Sequence, residues 1–217
     1  RDPVGAAALL TRPCHTPVGG PSVTATSQGA PVAAADSNGS FYVALTGSGV
    51  DPDAVYVARS TDGGLSFPDL FSASPPDESA NDTLSKPAIA IGPDDTIYLS
   101  WTTTLTGNRV VRMVASTDQG ETWTAPVSVS SDTVDHENAR ITVGADLSVH
   151  VAWVELNGDP KGDEKNRVAI QRLNADLTPD GGRVVVSGAT DTVTLDVPSI
   201  AIDGSNLYVA YTTGNPS

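Results

Sequence analysis

One short segment near the middle of the 217-residue chain carries side chains that could bind a ligand. Residues 132–137 read Asp-Thr-Val-Asp-His-Glu, and an arginine follows at position 140. Carboxylates and an imidazole can bind sugar hydroxyl groups or a metal ion, and a guanidinium can pair with a carboxylate on a ligand. We therefore predict that a ligand binds near Asp135, His136 and Glu137, in a loop that precedes a strand, and near Arg140 on that strand. Two other interpretations stay open: the acidic run is a solvated loop, and Arg140 pairs with Asp135 or Glu137 beside it.

The sequence contains no motif for a cofactor. It has no Gly-x-Ser-x-Gly, no phosphate-binding loop, no His-Glu-x-x-His and no EF-hand spacing. Two further acidic stretches, at residues 51–53 and 159–164, supply oxygen ligands that suit Ca²⁺ but lack a calcium-binding motif. The single cysteine, Cys14, allows neither an intrachain disulfide nor a thiolate cage. We predict no cofactor and no metal centre, with Ca²⁺ at the acidic loops as the alternative.

The charge balance excludes several kinds of partner. The chain has 12 lysines and arginines against 26 aspartates and glutamates, for a net charge of −14, and so it repels phosphate backbones and anionic membranes. No apolar run approaches the roughly 18–20 residues that a membrane span needs. We predict no nucleic-acid partner and no membrane span, and the acidity with few lysines favours an extracellular, periplasmic or cell-surface location. Because the chain begins Arg1-Asp2-Pro3, we interpret it as processed, trimmed or part of a longer protein.

Four repeats supply the elements that would position these residues. Each repeat has a short apolar segment, a polar turn rich in Gly, Asp or Asn, and a second apolar segment, which together indicate a β-hairpin. Equivalent positions are Pro31, Pro87, Ala139 and Pro198, which are 56, 52 and 59 residues apart. Two more strand-like segments follow each of the first three hairpins, and helical periodicity is almost absent. Four antiparallel strands in just over 50 residues indicate one blade of a β-propeller.

The predicted fold is therefore an all-β propeller with about three and a half blades in this chain. The blades cover residues 30–81, 86–134 and 137–191, with a half blade at 196–217. The N-terminal segment, residues 1–29, contains a strand-like stretch at 22–26 that could close the ring. Trp101, Trp153 and Tyr211 occupy the same place in successive repeats, and we interpret this aromatic row as packing between blades rather than as a sugar-stacking platform.

Two eight-residue motifs recur in phase with the hairpins. Residues 60–67 read Ser-Thr-Asp-Gly-Gly-Leu-Ser-Phe, and residues 116–123 read Ser-Thr-Asp-Gln-Gly-Glu-Thr-Trp. They are 56 residues apart and resemble the Asp-box, or BNR repeat, of the sialidase-like β-propellers. Residues 173–178 look like a degraded third copy. The structural box residues would be Ser60, Asp62, Gly64, Phe67, Ser116, Asp118, Gly120 and Trp123.

The box predicts a stable turn rather than a reaction. The aspartate can accept backbone N–H groups within its own turn, the glycine permits a special backbone conformation, and the aromatic residue packs onto the blade. In the resembled family the box lies away from the active site. We therefore expect a ligand at the mouth of the central channel near Arg140, and not at Asp62 or Asp118.

The resemblance does not extend to a visible catalytic set. Sialidases of this family use an arginine triad, a Tyr/Glu nucleophile pair and an aspartic acid, and their first arginine lies in an Arg-Ile-Pro motif. This chain lacks that motif, and its closest counterpart is Arg140-Ile141-Thr142. We assign no catalytic residue and predict a non-catalytic extracellular module that binds a glycan or protein ligand. The alternatives are an exo-glycosidase of the sialidase type whose other catalytic residues lie outside this chain, and a structural subunit of a cell-surface assembly.

The incomplete fourth blade leaves three ways to close the propeller. The chain is a fragment of a longer protein, or it pairs with a second copy, or it closes alone as a small four-bladed ring. Open strand edges are avoided in native proteins, so some partner for the last blade is expected. We favour the fragment.

Overall fold

A computed structural model describes residues 31–47, 54–75, 84–105, 107–130, 134–156, 166–188, 191 and 193–214. All regular elements in these ranges are β-strands, as the sequence predicted. No helix in this part of the chain is long and apolar enough to cross a membrane. The predicted ring-closing strand at 22–26, Cys14 and the acidic stretches 51–53 and 159–164 lie outside the described residues.

The strands form three four-stranded antiparallel sheets and one two-stranded sheet, each connected as a simple meander. Sheet 1 contains β1 (Val32–Ala35), β2 (Phe41–Gly47), β3 (Ala54–Ser60) and β4 (Asp69–Ser72). Sheet 2 contains β5 (Ser85–Ile91), β6 (Ile97–Leu105), β7 (Asn108–Ser116) and β8 (Val127–Ser128). Sheet 3 contains β9 (Asp135–Val143), β10 (Val149–Leu156), β11 (Arg167–Leu173) and β12 (Val184–Val185). Sheet 4 contains β13 (Ser199–Asp203) and β14 (Asn206–Ala210), and four-stranded meanders of this kind are the blades of a propeller.

The sheets stack face to face because successive side chains on a strand point to opposite sides. On β6, Ile97, Leu99 and Trp101 enter a buried cluster with sheet 1. Tyr98, between them, enters a second cluster that joins sheet 2 to sheet 3 and contains Trp153. Trp101 and Trp153 have no exposed surface, so this part of the aromatic row packs between sheets.

A five-residue turn recurs in the chain and corrects one expectation. In residues 144–148, the first amide donates to the last carbonyl at 2.8 Å, and Leu147 in fourth place has a φ of 65°. Residues 174–178 repeat this arrangement: the Asn174 amide donates to the Thr178 carbonyl at 2.9 Å, and Leu177 has a φ of 65°. The segment 173–178 is therefore not a degraded Asp-box but a copy of the hairpin turn. A leucine in this left-handed conformation is unfavourable, and burial of the Leu177 side chain in the core offsets that cost.

The first strands of sheets 2 and 3 carry the same irregularity. The register shifts between Ser85 and Ala88 on β5, and between the partners of Ala152 and Val154 on β9. Lys86 and Asn138 sit at these bulges with φ values of 56° and 59°. A bulge changes the direction in which the neighbouring side chains point. The bulge at Asn138 lies two residues before Arg140.

Candidate functional site

The structure places the predicted ligand-binding residues on a strand rather than in a loop. β9 begins at Asp135, so Asp135, His136 and Glu137 all lie within it. The sequence analysis expected these three residues in a loop before the strand that contains Arg140. The strand forms because these residues pair with β10, where Leu156 and Glu155 lie opposite Asp135 and His136.

Arg109 at the start of β7 neutralises two of these carboxylates. Its Nε and Nη2 donate to Asp135 Oδ2 at 3.1 and 2.9 Å, its backbone amide donates to Asp135 Oδ1 at 2.7 Å, and its Nη1 pairs with Glu137. Burial alone would raise the pKa of Asp135, but the Arg109 hydrogen bonds and charge hold it below its usual value. Arg109 therefore takes the place that the sequence analysis had considered for Arg140.

His136 belongs to a buried polar group inside sheet 3. It has no exposed surface, and its ring lies edge-on to Trp153 with the centroids 6.2 Å apart. Its Nε2 is 3.5 Å from Glu155 Oε1, and Arg183 Nη1 donates to both oxygens of Glu155 at 2.6 Å. Burial alone would raise the pKa of Glu155, but His136 and the Arg183 charge hold it below its usual value. This group ties β9, β10 and the approach to β12 together.

Arg140 differs from the other predicted residues because its charge has no counter-charge within the described part of the chain. The residue is half-buried on β9, and its Nη1 donates to the carbonyl of Ala139 at 2.9 Å. Over the described ranges, no carboxylate lies within ion-pair distance of its guanidinium, and burial lowers its pKa. Arg140 and Ile141 line a cavity of about 270 Å³, which we call the Arg140 pocket; its other wall is residues 197–200. The bond from Asn138 Nδ2 to the Leu195 carbonyl, at 2.6 Å, helps to hold that wall against β9.

The two motifs that resemble the Asp-box fold into closely similar turns. In the first, Asp62 Oδ1 accepts the Ser60 hydroxyl at 2.7 Å and the amides of Leu65 and Ser66 at 3.0 and 2.9 Å, while Ser60 Oγ accepts the Gly64 amide at 2.9 Å. The Ser66 and Ser60 hydroxyls and the backbone amides lower the pKa of Asp62 to about 2.

The second turn repeats three of these four bonds, while the Glu121 amide donates to the backbone carbonyl of Asp118 at 3.3 Å. Asp118 Oδ1 accepts the Ser116 hydroxyl at 2.8 Å and the Thr122 amide at 2.9 Å, and Ser116 Oγ accepts the Gly120 amide at 2.8 Å. Hydrogen bonds from the Thr122 hydroxyl and amide and from Ser116 lower the pKa of Asp118 to about 2. Both aspartates thus serve their own turns, which is the geometry expected of a structural residue.

The second box also contacts the neighbouring sheet. Trp123 packs against the core cluster that joins sheets 1 and 2. A Cβ at Gly120 would lie 3.3 Å from the Phe71 ring, so the turn sits directly on β4. Arg59 of sheet 1 also contacts this turn. Its guanidinium lies 5.2 Å from the centroid of the Phe71 ring, and its Nη1 donates to Gln119 Oε1 at 3.2 Å. The sequence analysis missed this role, because nothing in the motif shows which sheet lies beside it.

The described residues contain no group of three or more His, Cys, Asp or Glu side chains arranged to hold a metal ion. The acidic stretches at 51–53 and 159–164, where Ca²⁺ was the alternative, fall outside those residues. The Ca²⁺ expectation therefore stays a prediction.

Comparison with known proteins gives the fold but no relative in sequence. No family model matches the chain, and no curated protein matches it. Among solved structures, a protein of unknown function from Dyadobacter fermentans has a TM-score of 0.60 at 17% identity, covering 84% of this chain and 49% of that chain. The Hadza microbial sialidase Hz136 has a TM-score of 0.64 at 14% identity, covering 82% of this chain and 40% of its own. The endo-arabinase from Bacteroides thetaiotaomicron has a TM-score of 0.55 at 14% identity, covering 83% of this chain and 68% of that chain.

These similarities extend over most of the chain, although the chain spans only about half the length of the first of these structures, or less. At such low identity they bear on the fold alone. The chain has an all-β fold like that of the propeller-type glycoside hydrolases, built from four-stranded antiparallel blades.

Proposed function

We propose that this chain is a non-catalytic binding module of the sialidase-like, Asp-box type, and that it binds a glycan with an acidic group in the Arg140 pocket. The observation that carries the proposal is a half-buried guanidinium beside a cavity of about 270 Å³, without an ion-pair partner among the described carboxylates. Removing a cation from water costs free energy unless a counter-charge is supplied. A ligand carboxylate can supply it through a bidentate pair.

Three other features support this proposal. The glycosidase-like fold makes a glycan the natural ligand class to test first. The two boxes share one hydrogen-bond pattern, which fits the Asp-box assignment. Asp135 and Glu137 are already paired with Arg109, and His136 is buried, so they would shape the site rather than bind the ligand. The acidic composition fits an extracellular or cell-surface setting.

The proposal is tested by screening the protein against acidic and neutral glycans and measuring hits by titration calorimetry. Arg140→Met keeps the aliphatic stem and should abolish binding to an acidic glycan. Arg172→Met is the matched control, because it removes an arginine whose partners, Asp146 and Asp180, are exposed, and it should bind like the parent. Binding that survives Arg140→Met, or a ligand that maps to Asp62 or Asp118, would overturn the assignment.

The second candidate is an exo-glycosidase of the sialidase type, with its remaining catalytic residues outside this chain. The similarity to a sialidase over 82% of the chain favours testing it. If the protein hydrolyses a fluorogenic sialoside and Arg140→Ala loses this activity, an enzyme rather than a binding module would be the correct assignment. Ordered filaments or sheets seen by electron microscopy would instead support a structural subunit, or a second copy as the partner of the last blade.

A further inference from the structure

The first hairpin turn of sheet 1 is fastened to sheet 2 through a single carboxylate. Asp95 Oδ1 accepts the Ser37 amide at 2.8 Å, and its Oδ2 accepts the Ser37 hydroxyl at 2.7 Å. Asn38 Nδ2 also donates to Asp95 Oδ2, at 3.2 Å. The contact joins residues nearly 60 positions apart, so it is a bond between sheets and not part of one turn.

The same turn contains an Asn-Gly pair in an exposed position. Asn38 and Gly39 are both exposed, and Gly39 has a φ of 85°. A Cβ built on Gly39 would meet nothing within 4 Å, so the space around this peptide is open. Asparagine followed by glycine is the pair in which the next backbone nitrogen reaches the side-chain carbonyl most easily, because glycine adds no side chain to obstruct it.

We propose that Asn38 is a modification site, which deamidates spontaneously in the folded protein and thereby weakens the contact of the turn with Asp95. The Gly39 nitrogen attacks Asn38 Cγ and loses its proton, the Cγ–Nδ2 bond breaks, and ammonia leaves. Water then opens the resulting succinimide at one of its two carbonyls, giving aspartate or isoaspartate at position 38. The reaction needs only water and mild base, and no redox partner takes part.

The hydrogen bonds that hold the two reacting groups are long. Asn38 Nδ2 to Asp95 and Gly39 N to the Asp36 carbonyl both measure 3.2 Å, at the long end of the normal range. Bonds of this length on an exposed turn open readily and leave the Gly39 nitrogen free to attack.

Aspartate or isoaspartate at position 38 would weaken the contact between the turn and Asp95. A carboxylate at position 38 removes one of the three donors to Asp95 and places a like charge where that donor was. Isoaspartate also adds a methylene to the backbone, which displaces the bonds from Gly39 and Ser40 to Asp36. The seam between sheets 1 and 2 should therefore loosen at this end.

The test ages the folded protein in mildly alkaline buffer and follows each asparagine by peptide mapping. Asn174 is the internal control, because Asn174-Ala175 occupies an exposed five-residue turn but lacks the following glycine. Aspartate and isoaspartate should accumulate at position 38 and not at 174. Intact Asn38 at a time when the same peptide, unfolded, has converted would overturn the proposal.

The effect on the seam is tested by thermal melting. Aged parent protein and fresh Asn38→Asp should both melt below the fresh parent. Asn38→Gln keeps an amide but closes to the imide far more slowly, so its midpoint should not fall on ageing. A second Asn-Gly pair, Asn157-Gly158, lies outside the described residues. Equal losses on ageing in Asn38→Gln and the parent would assign the effect elsewhere and refute the weakening of this contact.

Discussion

Removing the Arg183 charge should expose how much sheet 3 depends on its buried polar group. In Arg183→Met, the Glu155 carboxylate loses the two 2.6 Å bonds and keeps the His136 imidazole at 3.5 Å. Breaking a buried ion pair by removing one partner costs roughly 3–5 kcal/mol, because the remaining charge is uncompensated. The Arg183 side chain is 44% exposed against 6% for Glu155, so water screens part of this pair. We expect a loss of about 2–3 kcal/mol in the free energy of unfolding at neutral pH.

The loss should shrink on acidification. In the parent, the folded-state pKa of Glu155 is lowered, so its contribution is present above the unfolded value of about 4.3 and is lost as the pH falls below it. Without Arg183, the folded-state pKa of Glu155 should be higher than in the parent, because His136 alone then opposes the effect of burial. The variant is then penalised most at neutral pH, and the penalty falls as the pH approaches the unfolded pKa.

Urea denaturation of parent and variant at neutral pH and near pH 4 measures both effects. Arg172→Met is the matched control, because its partners Asp146 and Asp180 are exposed and such pairs are worth about 0–1 kcal/mol. Adding Glu155→Gln to Arg183→Met should recover part of the loss, since an amide needs no counter-charge. The reasoning is refuted if Arg183→Met matches Arg172→Met, or if its deficit is the same at both pH values.

Three further predictions concern the second box and the Arg140 pocket. Trp123→Ala should lower the free energy of unfolding by about 2–4 kcal/mol in urea denaturation, because a partly buried ring leaves the seam between sheets 1 and 2; an unchanged midpoint would contradict this. The contribution of Asp118 should be full above about pH 4 and lost as the pH falls toward its folded pKa of about 2, so Asp118→Asn should be less sensitive to acid than the parent when followed by circular dichroism. Arg140→Met should leave the thermal midpoint unchanged or raise it, because the guanidinium has no ion-pair partner among the described residues; a marked fall would show a structural role.

The sheets and their turns were predictable because their causes are local. Alternating apolar residues set each strand, and the turn chemistry of Asp, Asn and Gly sets where a strand reverses. The bonds within the boxes follow the same rule, since Asp62 and Asp118 accept amides three or four residues later in the chain. The turn at 174–178 was misread because its aspartate and threonine resemble a box, while its bonds belong to the hairpin turn.

The contacts between sheets were not predictable because they join residues far apart in sequence. Arg109 on sheet 2 is 26 residues from Asp135 on sheet 3. The bond from Ser37 to Asp95 spans 58 residues. Each pair is formed by the stacking of sheets, so a charge pattern along the chain could not distinguish these partners from others nearby. Arg140 itself showed this limit, since the sequence allowed it a partner in Asp135 or Glu137 that Arg109 occupies instead.

The distribution of charge along β9 bears directly on where a ligand would bind. Asp135 and Glu137 meet Arg109, so a strand that looks acidic in sequence is largely neutralised within the fold. Arg140, three residues further, is the residue on this strand whose charge the described part of the chain does not balance. A half-buried charge without a partner lowers stability, and proteins accept such a cost mainly at sites where function requires it. A ligand with a negative group would therefore find in the Arg140 pocket a cation already partly stripped of water, which is the arrangement that favours a specific ion pair over a solvated one.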